Sequence, residues 1–508
     1  MKLELRNCVE RYTVEQSMLN LFPGELPVYA PVEPGDEVWA VIALDAARPS
    51  DEAVAALDAA RPPEPGETRC TVRIRFRGRE SGAARTAVLS GTEYDREGQR
   101  RRLLGQTFYL AALPLLPAPP PWGMLSGVRP DKLVTRAMAD GAAEEEARRL
   151  LEEDCFVTPL RAAMAVETGR TAFRVLNTLG PRDVCVYVGI PFCPTRCAYC
   201  SFVSQSVEKS FSQVPPYLDA LVDELRAGGE TVRRLGLRVR AFYMGGGTPT
   251  TLRPDQLDRI LSAFQEAFDL SDCGEFTVEA GRPDTITGEK LAVLRAHGID
   301  RISINPQSLE DRVLEAIGRR HTAADVERAM DLAAGFPHVN MDLIAGLPED
   351  TPDGFARTLD RCLAWKPDNL TVHTLALKKG SRILTGGTAV PAAADVAAML
   401  DYAAPALRTA GYAPYYLYRQ KYMSGSFENV GWCLPGTECL YNVCIMSELC
   451  TILSFGAGGS TKLADYRANR IRRLFHPKYP AEYLERRDRG WEWLRTVEDF
   501  YGEQHTEA

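Results

Sequence analysis

Three cysteines, Cys193, Cys197 and Cys200, stand in the run Tyr187-Val188-Gly189-Ile190-Pro191-Phe192-Cys193-Pro194-Thr195-Arg196-Cys197-Ala198-Tyr199-Cys200. Their C-x-x-x-C-x-x-C spacing lets one loop wrap three corners of an iron-sulfur cubane and leaves the fourth iron without a protein thiolate. That open iron is the chemically useful point, because the amine and carboxylate of an amino acid can chelate it. Aromatic Tyr199, just before the last thiol, and Phe202, just after it, are expected to shield such a cluster and tune its potential through burial. Zinc is the alternative reading. It closes with four ligands and would draw the fourth from elsewhere, for which His321, His338 and His373 are available.

A second signal is Met244-Gly245-Gly246-Gly247-Thr248-Pro249-Thr250. Consecutive glycines let a backbone approach a ligand closely, so that its carbonyl and N–H groups can bind a polar head. A further set, Cys433, Cys439, Cys444 and Cys450, falls in a short span. It could hold an auxiliary cluster or zinc, but its gaps are wider than ferredoxin or zinc-ribbon spacing, and cytosolic cysteines also serve as small apolar residues.

Strands and helices must position these loops. Beyond Pro181 the pattern alternates strand and helix, with strands expected at Val184 to Val188, Val239 to Met244, Glu275 to Ala280, Asp300 to Ile304, Val339 to Ile344 and Leu370 to Leu375. Helices read between them, such as Pro254 to Phe268 and Gly288 to Ala296, the latter closed by Gly298. Six such units predict a parallel sheet in an α/β, partial (β/α)6 TIM-like barrel. The cysteine loop follows the first strand and the glycine loop the second, so both fall on one rim. Before the barrel, β-rich runs at Glu37 to Leu44 and Thr71 to Phe76 predict a small α+β domain over 1–115. Prolines between Leu113 and Trp122 read as a stiff linker that opens a helical segment, 116–180. The barrel is expected over 181–390, followed by a mixed α/β extension over 391–508 with helix and glycine-rich loops.

Bulk properties bound the function. A chain of 508 residues is expected to form two or three domains. Its apolar share of 45% with 25% charged residues is globular, and a net charge of −8 argues against a nucleic-acid-coated surface. The charged start, Met1 to Asn7, lacks the apolar stretch of a secretion signal, and no segment reaches the roughly 20 apolar residues of a membrane span. The expectation is a cytoplasmic chain whose 13 cysteines stay reduced.

Together the two loops resemble those of the radical S-adenosylmethionine (SAM) superfamily. From about Val184 to Thr374 the surrounding words are similar to the oxygen-independent coproporphyrinogen III oxidases. The stretches Tyr415 to Lys421, Glu428 to Gly431 and Pro435 to Asn442 resemble the branch called coproporphyrinogen dehydrogenase of the HemZ type, as does the extra N-terminal domain. This resemblance implies a 4Fe-4S cluster on Cys193, Cys197 and Cys200, with SAM chelating the fourth iron. Carried over by residue, Tyr187 lies near the cluster, Glu279 over SAM, Gln307 and Arg319 at its ribose and carboxylate, and Asp342 at a further SAM contact. Gly245, Gly246, Gly247 and Thr248 would meet its methionyl end.

The resemblance also implies a reaction. One electron, from a donor of flavodoxin or ferredoxin type, passes through the cluster to SAM, and the resulting radical takes hydrogen from a propionate of coproporphyrinogen III. Loss of carbon dioxide and an electron leaves a vinyl group, and two rounds give protoporphyrinogen IX for haem biosynthesis. Such a tetracarboxylate needs cationic anchors, with Arg320, Lys378, Lys379, Arg382, Arg419 and Lys421 as candidates. Glu279, Arg320 and Arg419 are the expected catalytic set. One departure stands out: the family's further cysteine, two positions after the third ligand, is here replaced by Phe202, preceded by Ser201. Haem chaperones share that feature, so a haem-binding protein retaining the cluster and SAM is the alternative. The chaperones' His-Asn, followed closely by Tyr-Trp, is however matched here by Tyr441-Asn442-Val443-Cys444-Ile445-Met446. A radical SAM enzyme acting on another tetrapyrrole is a second alternative.

Overall fold

The computed structural model describes residues 1–45, 66–127, 129–200, 205–377, 381–420, 427–487 and 490–503. By internal contact the chain forms two units, Met1–Pro130 with Gly141–Val166, and Asp131–Asp140 with Glu167–Ala508.

In the first unit, β1 (Lys2–Arg6), β2 (Val28–Tyr29), β3 (Trp39–Asp45), β4 (Glu67–Phe76) and β5 (Arg79–Val88) make one sheet in the order β2-β1-β3-β4-β5. Alternate residues point to one face, so Ala40 and Ile42 of β3 and Val72 and Ile74 of β4 are buried together. They share a core with Val14 and Met18 of the helix Arg11–Leu21 and with Leu104 and Phe108 of the helix Glu93–Ala112. A capping box between Thr92 and Asp95 starts the second helix. The proline segment expected as a stiff linker is instead part of this unit. Trp122 is buried, the Pro121 carbonyl accepts from the Thr158 N–H at 3.0 Å, and the Met124 N–H donates to the Cys155 carbonyl at 3.0 Å. Proline lacks a donor but keeps its acceptor, so it can be held this way without joining a ladder. The expected 116–180 segment is accordingly divided between the two units.

The second unit carries β6 (Asp183–Ile190), the short parallel pair β7 (Phe192–Cys193) and β8 (Gln205–Ser206), then β9 (Arg238–Gly246), β10 (Phe276–Glu279), β11 (Arg301–Ser303), β12 (His338–Ala345) and β13 (Asn369–Thr374). It ends with β14 (Ala413–Tyr418), β15 (Asn429–Cys433), β16 (Thr451–Phe455), β17 (Ser460–Asp465) and β18 (Arg470–Phe475). All but β7 and β8 join one sheet, β14-β15-β13-β12-β11-β10-β9-β6-β16-β17-β18. The six strands expected from the sequence are β6 and β9 to β13, and they run parallel. Helices such as Val214–Arg234, Pro254–Ala267 and Pro352–Ala364 follow them and bury one face each. The sheet is an open, incomplete barrel, edged by antiparallel β14 and β15 on one side and by β16, β17 and β18 on the other.

The closing segment, expected as a mixed α/β extension with helix and glycine-rich loops but without individual strands drawn, adds five strands to the same sheet. Its strands hide because they lack alternation: Thr451, Ile452, Leu453, Ser454 and Phe455 are all buried. Since the central strands share a direction, their carboxyl ends form one rim. No helix among the described residues is long and apolar enough to cross a membrane.

Candidate active site

The cysteine loop leaves β6 at Ile190 and is held on several sides. Phe192 pairs with Gln205 and Cys193 with Ser206. The Ala198 N–H donates to the Ile317 carbonyl at 2.8 Å, while its own carbonyl accepts from Ser381 Oγ at 3.0 Å and the Ile383 N–H at 3.3 Å. Arg382 donates to the Arg196 carbonyl. Cys197 is buried, and Cys193 and Cys200 are half-buried. Arg282, joined to Asp284 by two bonds of 2.9 Å, places Nη1 3.2 Å from Thr195 Oγ1 and 3.6 Å from Cys197 Sγ.

The glycine loop closes directly against this backbone. The Gly247 N–H donates to the Ile190 carbonyl at 2.7 Å and the Thr248 N–H to the Phe192 carbonyl at 2.8 Å. Thr248 Oγ1 lies 3.5 Å from Cys193 Sγ. A Cβ at Gly247 would stand 2.5 Å from the Phe192 carbonyl oxygen, and one at Gly245 would stand 2.9 Å from the Glu279 carboxylate. At these two positions the missing side chains make room for a neighbouring loop and an acid.

Glu279 closes β10, and Tyr243 donates to its Oε1 at 2.7 Å. Burial pushes the Glu279 carboxyl up to about 7, with the Tyr243 hydroxyl working against that rise. Tyr243 stacks on Tyr441 at 4.4 Å, and Tyr441 on Tyr187 at 6.2 Å. Asp342 accepts from Asn340 Nδ2 at 3.1 Å and lies 3.9 Å from His373. Burial alone would raise its pKa, but His373, Asn340 and Thr371 hold it below the ordinary carboxylate value.

Gln307 adopts a left-handed backbone, φ 68, pinned by its N–H on the Asp342 carbonyl at 3.0 Å and by the Ile344 N–H on its own carbonyl at 3.1 Å. Its Oε1 is buried without a protein partner, as are Asn305 Oδ1 and Arg319 Nε. Arg319 ties the rim together. Its Nη2 donates to the Tyr199 hydroxyl at 2.9 Å, and its Nη1 to the carbonyls of Asn305 at 3.2 Å and Gly281 at 3.3 Å. Burial opposes its charge, yet Tyr199 and Cys197 hold its pKa above the ordinary arginine value.

Contacts therefore link Tyr187, Tyr199, Cys193, Cys197, Gly245, Gly247, Thr248, Glu279, Gln307, Arg319 and Asp342 around one rim. The cationic candidates are more dispersed. Arg320 is exposed beside buried Arg319, and Arg382 braces the cysteine loop from an exposed position. Arg419 is buried near Glu428, and burial brings its pKa down to about 10. Phe202, Lys378, Lys379 and Lys421 lie outside the described residues. Reading the sequence missed Arg282, Asn305, Tyr243 and Tyr441. Arg282 was within reach, since Gly281-Arg282-Pro283-Asp284 directly follows Glu279 at a strand end.

The donor set fits a cluster better than a single zinc ion. Among the described residues, a group of three ligand atoms all within 4.8 Å of one another occurs elsewhere, at Cys185, Cys444 and Cys450, and the motif thiols are not such a group. Of the histidines, His338 pairs with Asp368 at 3.3 Å and His373 faces Asp342, while His321 has both ring nitrogens buried without a hydrogen-bond partner and is pushed down to about 3 by burial.

The family described as "Radical SAM superfamily" matches residues 187–362. The chain is 39% identical over 372 residues to the oxygen-independent coproporphyrinogen-III oxidase-like protein HemZ of Bacillus subtilis, covering 72% of this chain and 74% of that one. It is 31% identical over 265 residues to the heme chaperone HemW of Mycobacterium tuberculosis, covering 51% of this chain and 64% of that one. Among solved structures, coproporphyrinogen III oxidase (HemN) from Escherichia coli, a radical SAM enzyme, matches with a TM-score of 0.48 and 23% identity, over 64% of this chain and 73% of that one.

Proposed function

Because the chain belongs to the radical SAM superfamily, within the oxygen-independent coproporphyrinogen-III oxidase-like family, we propose that it oxidatively decarboxylates propionates of coproporphyrinogen III to vinyl groups, giving protoporphyrinogen IX. Its cofactors are those of the superfamily, a 4Fe-4S cluster and SAM. In this reading Cys193, Cys197 and Cys200 hold three irons. Gly245, Gly246, Gly247 and Thr248 meet the methionyl end of SAM, and Glu279, Gln307, Arg319 and Asp342 meet its polar groups.

The observation that carries the reading is the set of buried, partnerless polar atoms on Gln307, Asn305 and Arg319. Leaving such atoms bare costs about 1–3 kcal/mol each, and a polar cofactor relieves that cost. When bound, the reduced cluster and SAM supply a carbon-centred radical able to take hydrogen from a C–H bond. The chain's own residues bind, aim and exclude water. Arg282 reaches the Cys197 sulfur and Arg319 holds the Tyr199 hydroxyl, Glu279 accepts hydrogen bonds once ionised, and the stacked Tyr187, Tyr441 and Tyr243 wall the site. Arg419 is the anchor assigned to a substrate carboxylate, since its guanidinium is already desolvated.

A second reading, a chaperone-like protein that binds haem, is favoured by Ser201 and Phe202 after Cys200 and by the likeness to HemW. One experiment separates them: anaerobic incubation of reconstituted protein with SAM, dithionite and coproporphyrinogen III, followed by mass analysis. Vinyl products with 5′-deoxyadenosine support the enzyme. Deoxyadenosine without vinyl product discards this substrate, and a tight haem complex without product favours the chaperone.

A further inference from the structure

A second group of thiols converges away from the rim, toward the amino-terminal end of β6. Cys185 is the third residue of that strand, five residues before Ile190 and so roughly 17 Å along it from the rim end. Cys444 lies in the helix Leu440–Ser447, and Cys450 immediately precedes β16. Strand pairing and a tight turn create the meeting. β16 runs parallel to β6 with Ile452 opposite Cys185, which delivers Cys450 to that level. The helix ends at Glu448 in a left-handed conformation, φ 57, and the Leu449 N–H returns to the Cys444 carbonyl at 3.1 Å. All three thiols are buried, with their sulfurs within 4.8 Å of one another and those of Cys185 and Cys450 3.8 Å apart.

Buried cysteines are usually plain apolar filler, and this group does sit among Ala172, Ala241, Val443 and Ile452. Two features go beyond filler. A separation of 3.8 Å equals the edge of a tetrahedron with metal–sulfur bonds of about 2.3 Å, the zinc–thiolate length. Three corners of a cubane hold their thiolates wider than that, so the spacing selects one ion over a cluster. Cys450 also lines a pocket together with Gly180, Asp183, Leu449, Asp465 and Tyr466, which gives an ion a route to the group.

We propose that Cys185, Cys444 and Cys450 form a mononuclear site for a thiophilic divalent cation of the zinc class, three thiolates and one open position. Binding involves no change of oxidation state: three sulfur–metal bonds form, and each thiol that still carries a proton releases it to solvent. Of the four carboxyl-terminal cysteines in the sequence, Cys433 and Cys439 take no part. Cys439 donates instead to Glu275 at 3.2 Å.

The test uses the full-length chain carrying Cys193→Ala, Cys197→Ala and Cys200→Ala together, which removes the rim thiols and keeps the outcome independent of any cluster. Zinc alone, and then cobalt(II) alone, is added to the reduced protein and desalted away. The expected result is about one equivalent of either metal retained, with the near-ultraviolet thiolate-to-cobalt absorption of a site rich in sulfur. Cys444→Ser or Cys450→Ser in that background reduces retention to background level, and Cys433→Ser leaves it unchanged. Failure of the parent to retain zinc or to show the cobalt absorption overturns the proposal without reference to any variant's folding. Retention undiminished by both serine variants, or retention of copper(I) but not zinc, also overturns it.

Discussion

The Tyr243 hydroxyl donates to Glu279 Oε1 at 2.7 Å, at a place where burial has already pushed that carboxyl up to about 7. The bond favours the ionised acid, so its removal moves the pKa further up. Tyr243→Phe is expected to shift the pH at which SAM binding weakens on acidification upward by roughly one unit, equivalent to about 1.4 kcal/mol. Calorimetric titration of SAM across the neutral range checks it. Superimposable profiles for the two proteins contradict the role assigned to Glu279.

Glu224 gives a stability prediction of definite sign. It accepts from the Gly456 N–H at 2.7 Å, Tyr483 OH at 2.6 Å and Trp493 Nε1 at 2.9 Å, and burial pushes it up to about 7. The folded state therefore holds this proton more tightly than the unfolded chain does. Its contribution is fully present below the ordinary glutamate pKa and is lost as pH rises through about 7. Glu224→Gln is expected to flatten that decline in melting temperature, while Glu224→Ala strands three donors and costs on the order of 3 kcal/mol. An unchanged pH slope in the glutamine variant contradicts the assignment.

Much of the barrel was legible because each parallel strand ends in a loop and is answered by a helix of 3.6-residue period. The strands β14 to β18 were not. They are supplied by a segment with no βα rhythm, and β16 is buried throughout, so it shows no alternation to read. In the site, Cys193, Cys197 and Cys200 were visible from spacing, and Gly245 to Gly247 from composition. Tyr441 was not, because it comes from a helix that reaches Tyr187 and Tyr243 only through the tertiary fold. The thiol group at Cys185 was equally hidden, since 265 residues separate it from Cys450.

Gly247→Ala tests the close approach of the two rim loops. The new Cβ would stand 2.5 Å from the Phe192 carbonyl and 2.8 Å from that of Ile190, both of them backbone. Overpacking of this kind costs about 1–3 kcal/mol. The expected outcome is a lower melting temperature together with poor cluster reconstitution, read from iron content. Full iron content at unchanged stability contradicts the tight docking.

Arg419→Ala addresses the substrate. A buried carboxylate anchor costs on the order of 3 to 5 kcal/mol when truncated. The variant is expected to raise the coproporphyrinogen III concentration needed for turnover while cluster absorption and SAM binding stay as they were. Unchanged substrate kinetics remove Arg419 from the substrate site.

The central claim concerns the three thiols of one loop, and iron analysis with electron paramagnetic resonance of the reduced protein, with and without SAM, tests it most directly. Anaerobically reconstituted chain is predicted to hold about four irons and to change its spectrum when SAM is added, and alanine at Cys193, Cys197 or Cys200 is predicted to abolish both. A chain whose iron content and SAM response survive any one of those replacements contradicts the account.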